Sequence, residues 1–246
     1  MSVTGAPGRG PMRTGAAIAD IAAGLFAALG VMTALLEREA SGKGQWVQSS
    51  LLQSGIALLD FQAARYLMEG EVPPQVGNDH PTSMPTSAYP TADGFLNVGA
   101  AGEGIWKRLC AAIGRPDLVA LEEFKDNKSR AKNRAPLNRI LGEAFRTKTT
   151  AEWVGTLNEA GVPCGPIYRV DEVFADPQVA HLEAAAEVRH AKLGSLRILN
   201  QAVKLSRTPA KLVAPTPEVG EHTDEILEEL DYSKDDIKNL KSRGVV

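Results

Sequence analysis

The chain has 246 residues, 43% of them hydrophobic and 23% charged, with a formal net charge of -3. That length can bury one large core or two small ones, and the balance is that of a globular protein rather than a disordered one. Lys and Arg are spread without a basic stripe and no RNA-type aromatic motif is present, which argues against a nucleic-acid partner; a local pair of cations can still hold a phosphate. Residues 1–15, with Pro7, Pro11 and four glycines, read as a loop without the apolar run of a signal peptide. A helix rich in Ala and Leu follows over about 16–40, stopped by SGKG at 41–44. Gly24, Gly30 and Thr33 break its apolar run, so it reads as a buried helix packed closely on other backbone rather than as a membrane span.

QWVQSSL (45–51) alternates and reads as a short strand, and 52–68 as a second helix. Residues 70–87 hold four prolines and no periodicity, the pattern of a long ordered loop. TADG (91–94) between 88–89 and 95–98 predicts a hairpin. Helices are expected over 103–113 and 133–145, with GRPDL (114–118) breaking the first. TKTTAEW (147–153) offers a Thr cap with Glu152 for a helix ending at Gly161. VPCGPIYRV reads as turn and strand, 170–174 as a short helix ended by Asp176-Pro177, and EVRH, LRILN and AVKLS within 182–207 as strands. Two polar helices close the chain, at 218–230 and 234–241.

Cys110 and Cys164 have no CxxC partner and read as reduced thiols of a cytoplasmic protein. The four histidines lack metal-ligand spacing, so no metal site is expected. Asp20 sits among Ile18, Ala19, Ile21 and Ala22, where a poorly solvated carboxylate would have a raised pKa and higher nucleophilicity. The same residue also suits an N-cap, and residue chemistry leaves both readings open. His80 reads as an acid, a hydrogen-bond donor or a plain loop residue, and Arg13 as a phosphate or carboxylate ligand or a solvated charge. Cys164 reads as a turn residue, and His222 as capping or orienting the helix after it.

Four segments carry a resemblance. They are PMRTGAAIADIAAGL (11–25) running into TALLEREASGKGQ (33–45), GNDHPTS (77–83) with YPTADG (89–94), AGVPCGP (160–166) followed by DPQV (176–179), and GEHTDEILEEL (220–230). Together they span almost the whole chain, which resembles the C-terminal part of a family III CoA-transferase, the CaiB/BaiF group of formyl-CoA and carnitine CoA-transferases. The resemblance implies an α/β fold: an incomplete Rossmann-like large domain (1–72 and 187–246) enclosing a smaller α/β domain (73–186). It implies transfer of CoA between an acyl-CoA thioester and a carboxylic acid through an aspartyl-CoA intermediate, with Asp20 as the nucleophile. Coenzyme A and acyl-CoA enter as substrates, with no permanently bound cofactor. Asn78, His80 and Ser83 stand in the place of the family's Gly-rich mobile loop and, with Arg13, are the expected substrate-binding residues; that loop is also where backbone N–H donors for an oxyanion are expected. Family members are similar to two interlocked rings, so a homodimer is implied, with no membrane or nucleic-acid partner. They also carry a large N-terminal portion that this chain lacks, and a separate chain supplying that half is a further expected partner, or else the chain is a non-catalytic fragment. An α-methylacyl-CoA racemase shares the fold and the aspartate but has a glutamate near the position of Pro90.

Overall fold

The computed structural model describes residues 1–212 and 214–246. Two compact units divide the chain, Met1–Ile167 and Tyr168–Val246. The first opens with an irregular segment over 1–17, followed by α1 (Ile18–Ser41), α2 (Leu51–Ala57) and α3 (Phe61–Glu69). Gly42, in the left-handed conformation, ends α1 by donating its N–H to the Arg38 carbonyl, as expected of SGKG.

Three expectations change here. First, α1 is not buried: only Ala22 falls below the surface, while Leu25, Leu29, Met32 and Leu36 are all more than half exposed. Its packing within this chain is against α2 and the 45–50 segment. A Cβ on Gly30 would come within 2.8 Å of Val47, and the Ser49 hydroxyl donates to the Ala23 carbonyl at 3.1 Å. Second, 45–50 is not a strand, because among the described residues it has no backbone partner to complete a ladder, and Trp46 stands 86% exposed. Third, the helix expected over 52–68 is broken in two. Asp60 between α2 and α3 has φ 48° and ψ -127°, a conformation that strongly favours glycine. Strain there typically costs about 1–3 kcal/mol. Asp60→Gly is expected to raise stability by about 1 kcal/mol, after the greater chain entropy of glycine in the unfolded state is offset; a lower thermal midpoint would contradict it.

The hairpin forms as its turn predicts. β1 (Thr86–Pro90) and β2 (Phe95–Gly99) pair antiparallel, and β3 (Cys164–Pro166) joins the far edge of β2. Period-two alternation sends Ser87, Tyr89, Leu96 and Val98 inward. On this face pack α4 (Glu103–Ala112), a 3₁₀ turn (Pro116–Ala120), α5 (Asn127–Lys132), α6 (Arg134–Phe145) and α7 (Thr150–Glu159). Helical spacing selects the core: Trp106, Leu109 and Cys110 from α4, Leu137, Leu141 and Phe145 from α6, and Trp153 and Leu157 from α7. α7 starts with the capping box its sequence predicts. Thr149 Oγ1 accepts from the Glu152 N–H while the Glu152 carboxylate accepts from the Thr149 N–H. Thr149→Ala should cost about 1 kcal/mol, read as a fall in the urea midpoint with an unchanged m-value.

The second unit holds α8 (Val170–Ala175), α9 (Pro177–His181), the antiparallel pair β4 (Ala185–His190) and β5 (Gly194–Leu199), α10 (Thr223–Glu229) and α11 (Lys234–Ser242). Asp176 both ends α8 and caps α9, its carboxylate accepting from the Gln178 and Val179 N–H groups. AVKLS (202–206) is not a strand, since β5 pairs only with β4 among the described residues. His222 occupies the N-cap position of α10 without a side-chain capping bond, so the cap expected of it is absent.

Candidate active site

The irregular N-terminal segment is fixed by Gln75. Its amide Nε2 donates to the Gly10 carbonyl at 2.7 Å and also to that of Thr4, and the Gly77 N–H donates to the Gly5 carbonyl at 2.9 Å. This tie brings the residues before α1 alongside the 77–86 loop.

Two clefts result. One, of about 330 Å³, is lined by Arg13, Asp20 and the α2–α3 elbow at Leu58 and Leu59. The other, of about 430 Å³, is lined by the same elbow residues, Asp60, Phe61, Asn78, Asp79 and His80. Val3, Leu58 and Leu59 line both, so the clefts adjoin. Asp20, Arg13, Asn78 and His80 therefore border one continuous surface. Ser83 lines neither cleft; it lies behind His80, to which its backbone N–H donates.

Asp20 lies three residues beyond Ala17, the N-cap of α1, and so is not itself the cap. Its charge stands in the first helical turn, where the helix dipole favours an anion. The expected desolvation is not met, since Asp20 is exposed and the flanking Ile18 and Ile21 are exposed as well. Apolar neighbours in sequence cannot shield a carboxylate when they are themselves exposed.

The 77–86 loop is firmly held from α5 and α6. Asn127 receives the Met84 N–H on Oδ1 and donates Nδ2 to the Thr82 carbonyl, both at 2.8 Å. Arg134 donates to the His80 and Pro81 carbonyls at 3.2 and 2.9 Å and lies 3.6 Å from the Asp79 carboxylate. Asn138 donates to Asp79 and accepts from the Tyr89 hydroxyl at 2.9 Å. Burial pushes the Tyr89 phenol well above its ordinary pKa, with the Asp79 charge adding to the rise and Arg134 opposing it. The His80 ring stacks on Phe61, with centroids 5.5 Å apart and planes 10° apart. Its Nδ1 accepts from the Thr82 and Ser83 N–H groups at 3.2 and 3.1 Å.

The sequence reading missed Asp60, Phe61, Asn127, Arg134 and Asn138. Asp60 carries one usable signal, an acidic residue interrupting an apolar helical run. The clamp residues carry none, since each reads as an ordinary polar residue on a solvated helix face. Neither cysteine borders the clefts. Burial drives the Cys110 thiol up to about 12, which leaves it inert.

The family model for CoA-transferase family III matches residues 1–223. The chain belongs to CoA-transferase family III. The human succinyl-CoA:glutarate CoA-transferase is 35% identical over all of this chain, which covers 56% of that protein. The succinyl-CoA–D-citramalate CoA-transferase of Chloroflexus aurantiacus is 32% identical, again over all of this chain and 61% of the relative. A CaiB/BaiF family protein from Brucella suis superimposes with a TM-score of 0.78 at 32% identity, over 94% of this chain and 60% of its own. This family III chain thus spans little more than half the length of the relatives it matches, and its fold is the α/β fold of the family.

Proposed function

We propose that this chain carries the nucleophile-bearing part of a CoA-transferase that moves CoA from an acyl-CoA thioester to a carboxylic acid. The observation that carries this reading is the continuous surface on which Asp20 and Arg13 adjoin the loop bearing Asn78 and His80. The names of the relatives support a short dicarboxylate as one substrate. Pro90, inside β1, offers no carboxylate of the kind the racemase reading requires.

A carboxylate oxygen of Asp20 attacks the thioester carbonyl carbon. Collapse of the tetrahedral adduct breaks the C–S bond, giving CoA thiolate and a mixed acyl–aspartyl anhydride. The thiolate attacks the aspartyl carbonyl and expels the donor acid, leaving an aspartyl-CoA thioester. The acceptor carboxylate attacks that thioester and releases the thiolate, giving a second anhydride. The thiolate then attacks the acceptor acyl carbon, forming the new acyl-CoA and restoring the Asp20 carboxylate. No net proton is consumed. Each step needs a donor for an oxyanion, and Arg13 suits a phosphate or a substrate carboxylate.

The exposed apolar side of α1 and the unpaired 45–50 segment are read as surfaces covered by protein. The N-terminal half of such an enzyme, or the second subunit of a homodimer, would cover them, and Asp20 would become shielded only then. In this reading 1–72 and 187–246 belong to the large domain and 73–186 form the small one. The two free cysteines suit a reducing compartment such as the cytoplasm.

The test is to incubate the chain with succinyl-CoA, trap with borohydride or hydroxylamine, and map the modified peptide, with and without a co-expressed N-terminal half from a full-length relative. Modification of the Asp20 peptide supports the reading. Its absence in both arms, with the protein folded, rejects it.

A further inference from the structure

The chemistry proposed above needs a hydrogen-bond donor wherever a carbonyl oxygen becomes an oxyanion, and the 77–86 loop, whose cleft adjoins that of Asp20 at Leu58 and Leu59, has few free backbone donors. Gly77 donates to Gly5, Asp79 to Val76 and His80 to Thr86, each through its N–H to a carbonyl. Thr82 and Ser83 donate to His80 Nδ1, and Met84 donates to Asn127. Pro81 and Pro85 have no N–H. Among the described residues the Asn78 N–H alone of 77–84 has no such partner, and the loop borders its cleft with Asn78, Asp79 and His80. A ring nitrogen that accepts from two backbone N–H groups carries a lone pair, so the proton of the neutral imidazole resides on Nε2. Stacking on Phe61 fixes the ring plane.

We infer that His80 is a neutral Nε2–H donor to the developing oxyanion, and that Asn127, Arg134 and Asn138 are positioning residues that hold its loop as a fixed wall. This rests on the CoA-transfer reading. It makes His80 a hydrogen-bond donor rather than an acid or base, because the nitrogen that would take up a proton is already occupied by the loop's own backbone.

Two measurements on the same chain, with the co-expressed half if transfer requires it, decide the matter. Nitrogen-15 NMR of the histidine side chains at neutral pH should find His80 as the Nε2–H tautomer in the wild type, and Asn127→Ala should blur or lose that signature. This readout is independent of turnover, and an Nδ1–H tautomer or an imidazolium would overturn the inference. Kinetics with succinyl-CoA and glutarate then test the role. In His80→Asn the amide oxygen can replace Nδ1 as the acceptor while the distal donor is lost, so kcat should fall about 100-fold or more with KM little changed. His80→Gln, whose amide nitrogen reaches the Nε2 position, should recover part of it. Wild-type kcat in His80→Asn would overturn the donor role. If the wild type never modifies Asp20, the transferase reading falls and the donor role falls with it, while the tautomer result still decides whether the loop is a fixed wall.

Discussion

Asparagine in place of Asp20 is expected to lower CoA transfer by about 10⁴-fold or more and to remove the trapped adduct, leaving the fold in place. The amide is nearly the same size as the carboxylate but is a very poor nucleophile. Asp20 is exposed, so its replacement leaves no cavity and no orphaned buried group. The loss of one negative charge in the first turn of α1 should cost no more than about 1 kcal/mol. Transfer rates and thermal midpoints measured side by side check both halves. Activity within tenfold of wild type would remove Asp20 from the chemistry. A collapse of the midpoint would show that the carboxylate supports the fold.

The largest expected effect on stability is at Arg130, which is fully buried. Its guanidinium donates to the carbonyls of Met84 at 2.8 Å, Ala101 at 2.8 Å and Phe124 at 3.1 Å, and meets both oxygens of Glu103 at 2.7 and 3.3 Å. It also lies 5.1 Å over the Trp106 ring, whose Nε1 is the one fully enclosed side-chain polar atom without a partner among the described residues. One side chain thus ties α5 to the end of the 77–86 loop, to the stretch after β2 and to the turn before α5. Arg130→Ala should cost about 3–5 kcal/mol, because three carbonyls lose their donor and a cavity is left beside Trp106. Glu103→Gln should cost only about 1 kcal/mol, since that side chain is 53% exposed and solvent screens the pair. The ordering of the two losses in denaturant melts is the check. If the two variants prove equal, the ion pair matters and the carbonyl bonds do not. Set against typical domain stabilities of about 5–15 kcal/mol, the Arg130 loss is enough to unfold a marginal domain.

Much of the local structure was legible in the sequence. The hairpin followed from TADG between 88–89 and 95–98, α7 from Thr149 and Glu152, and the helices over 103–113 and 133–145 appear as α4 and α6. What was not legible depends on pairing and covering surfaces that a local stretch does not encode. The alternation in 45–51 predicts a strand, but a strand exists only when another one pairs with it. The composition of α1 predicts burial, but burial needs a covering surface. The elbow at Asp60 was hidden by good helix formers on both sides. At the site, Asp20 and the 77–83 loop came from the family resemblance. The clamp that holds the loop did not, because Asn127, Arg134 and Asn138 act through backbone carbonyls and side chains more than forty residues away.

Every member of the main apolar cluster falls between Met84 and Val162, so the cluster takes nothing from α1–α3 or from residues after Ile167, although contacts within it such as Tyr89 on Phe145 span more than fifty residues. Such a core can close without the segments that lie outside that span. In native-state hydrogen exchange this chain should accordingly show an island of slow amides in α4, α6, α7 and β2, exchanging together near the global unfolding limit. The amides of α2, α3 and the 45–50 segment should exchange orders of magnitude faster. Should α2 and α3 prove as slow as α6, they would belong to the same cooperative unit. The 77–86 loop lies on the boundary between the slow and fast zones. Its side nearest Asn127 and Arg130 is anchored in the island, and its opposite end, at Gly77, is tied to the N-terminal segment.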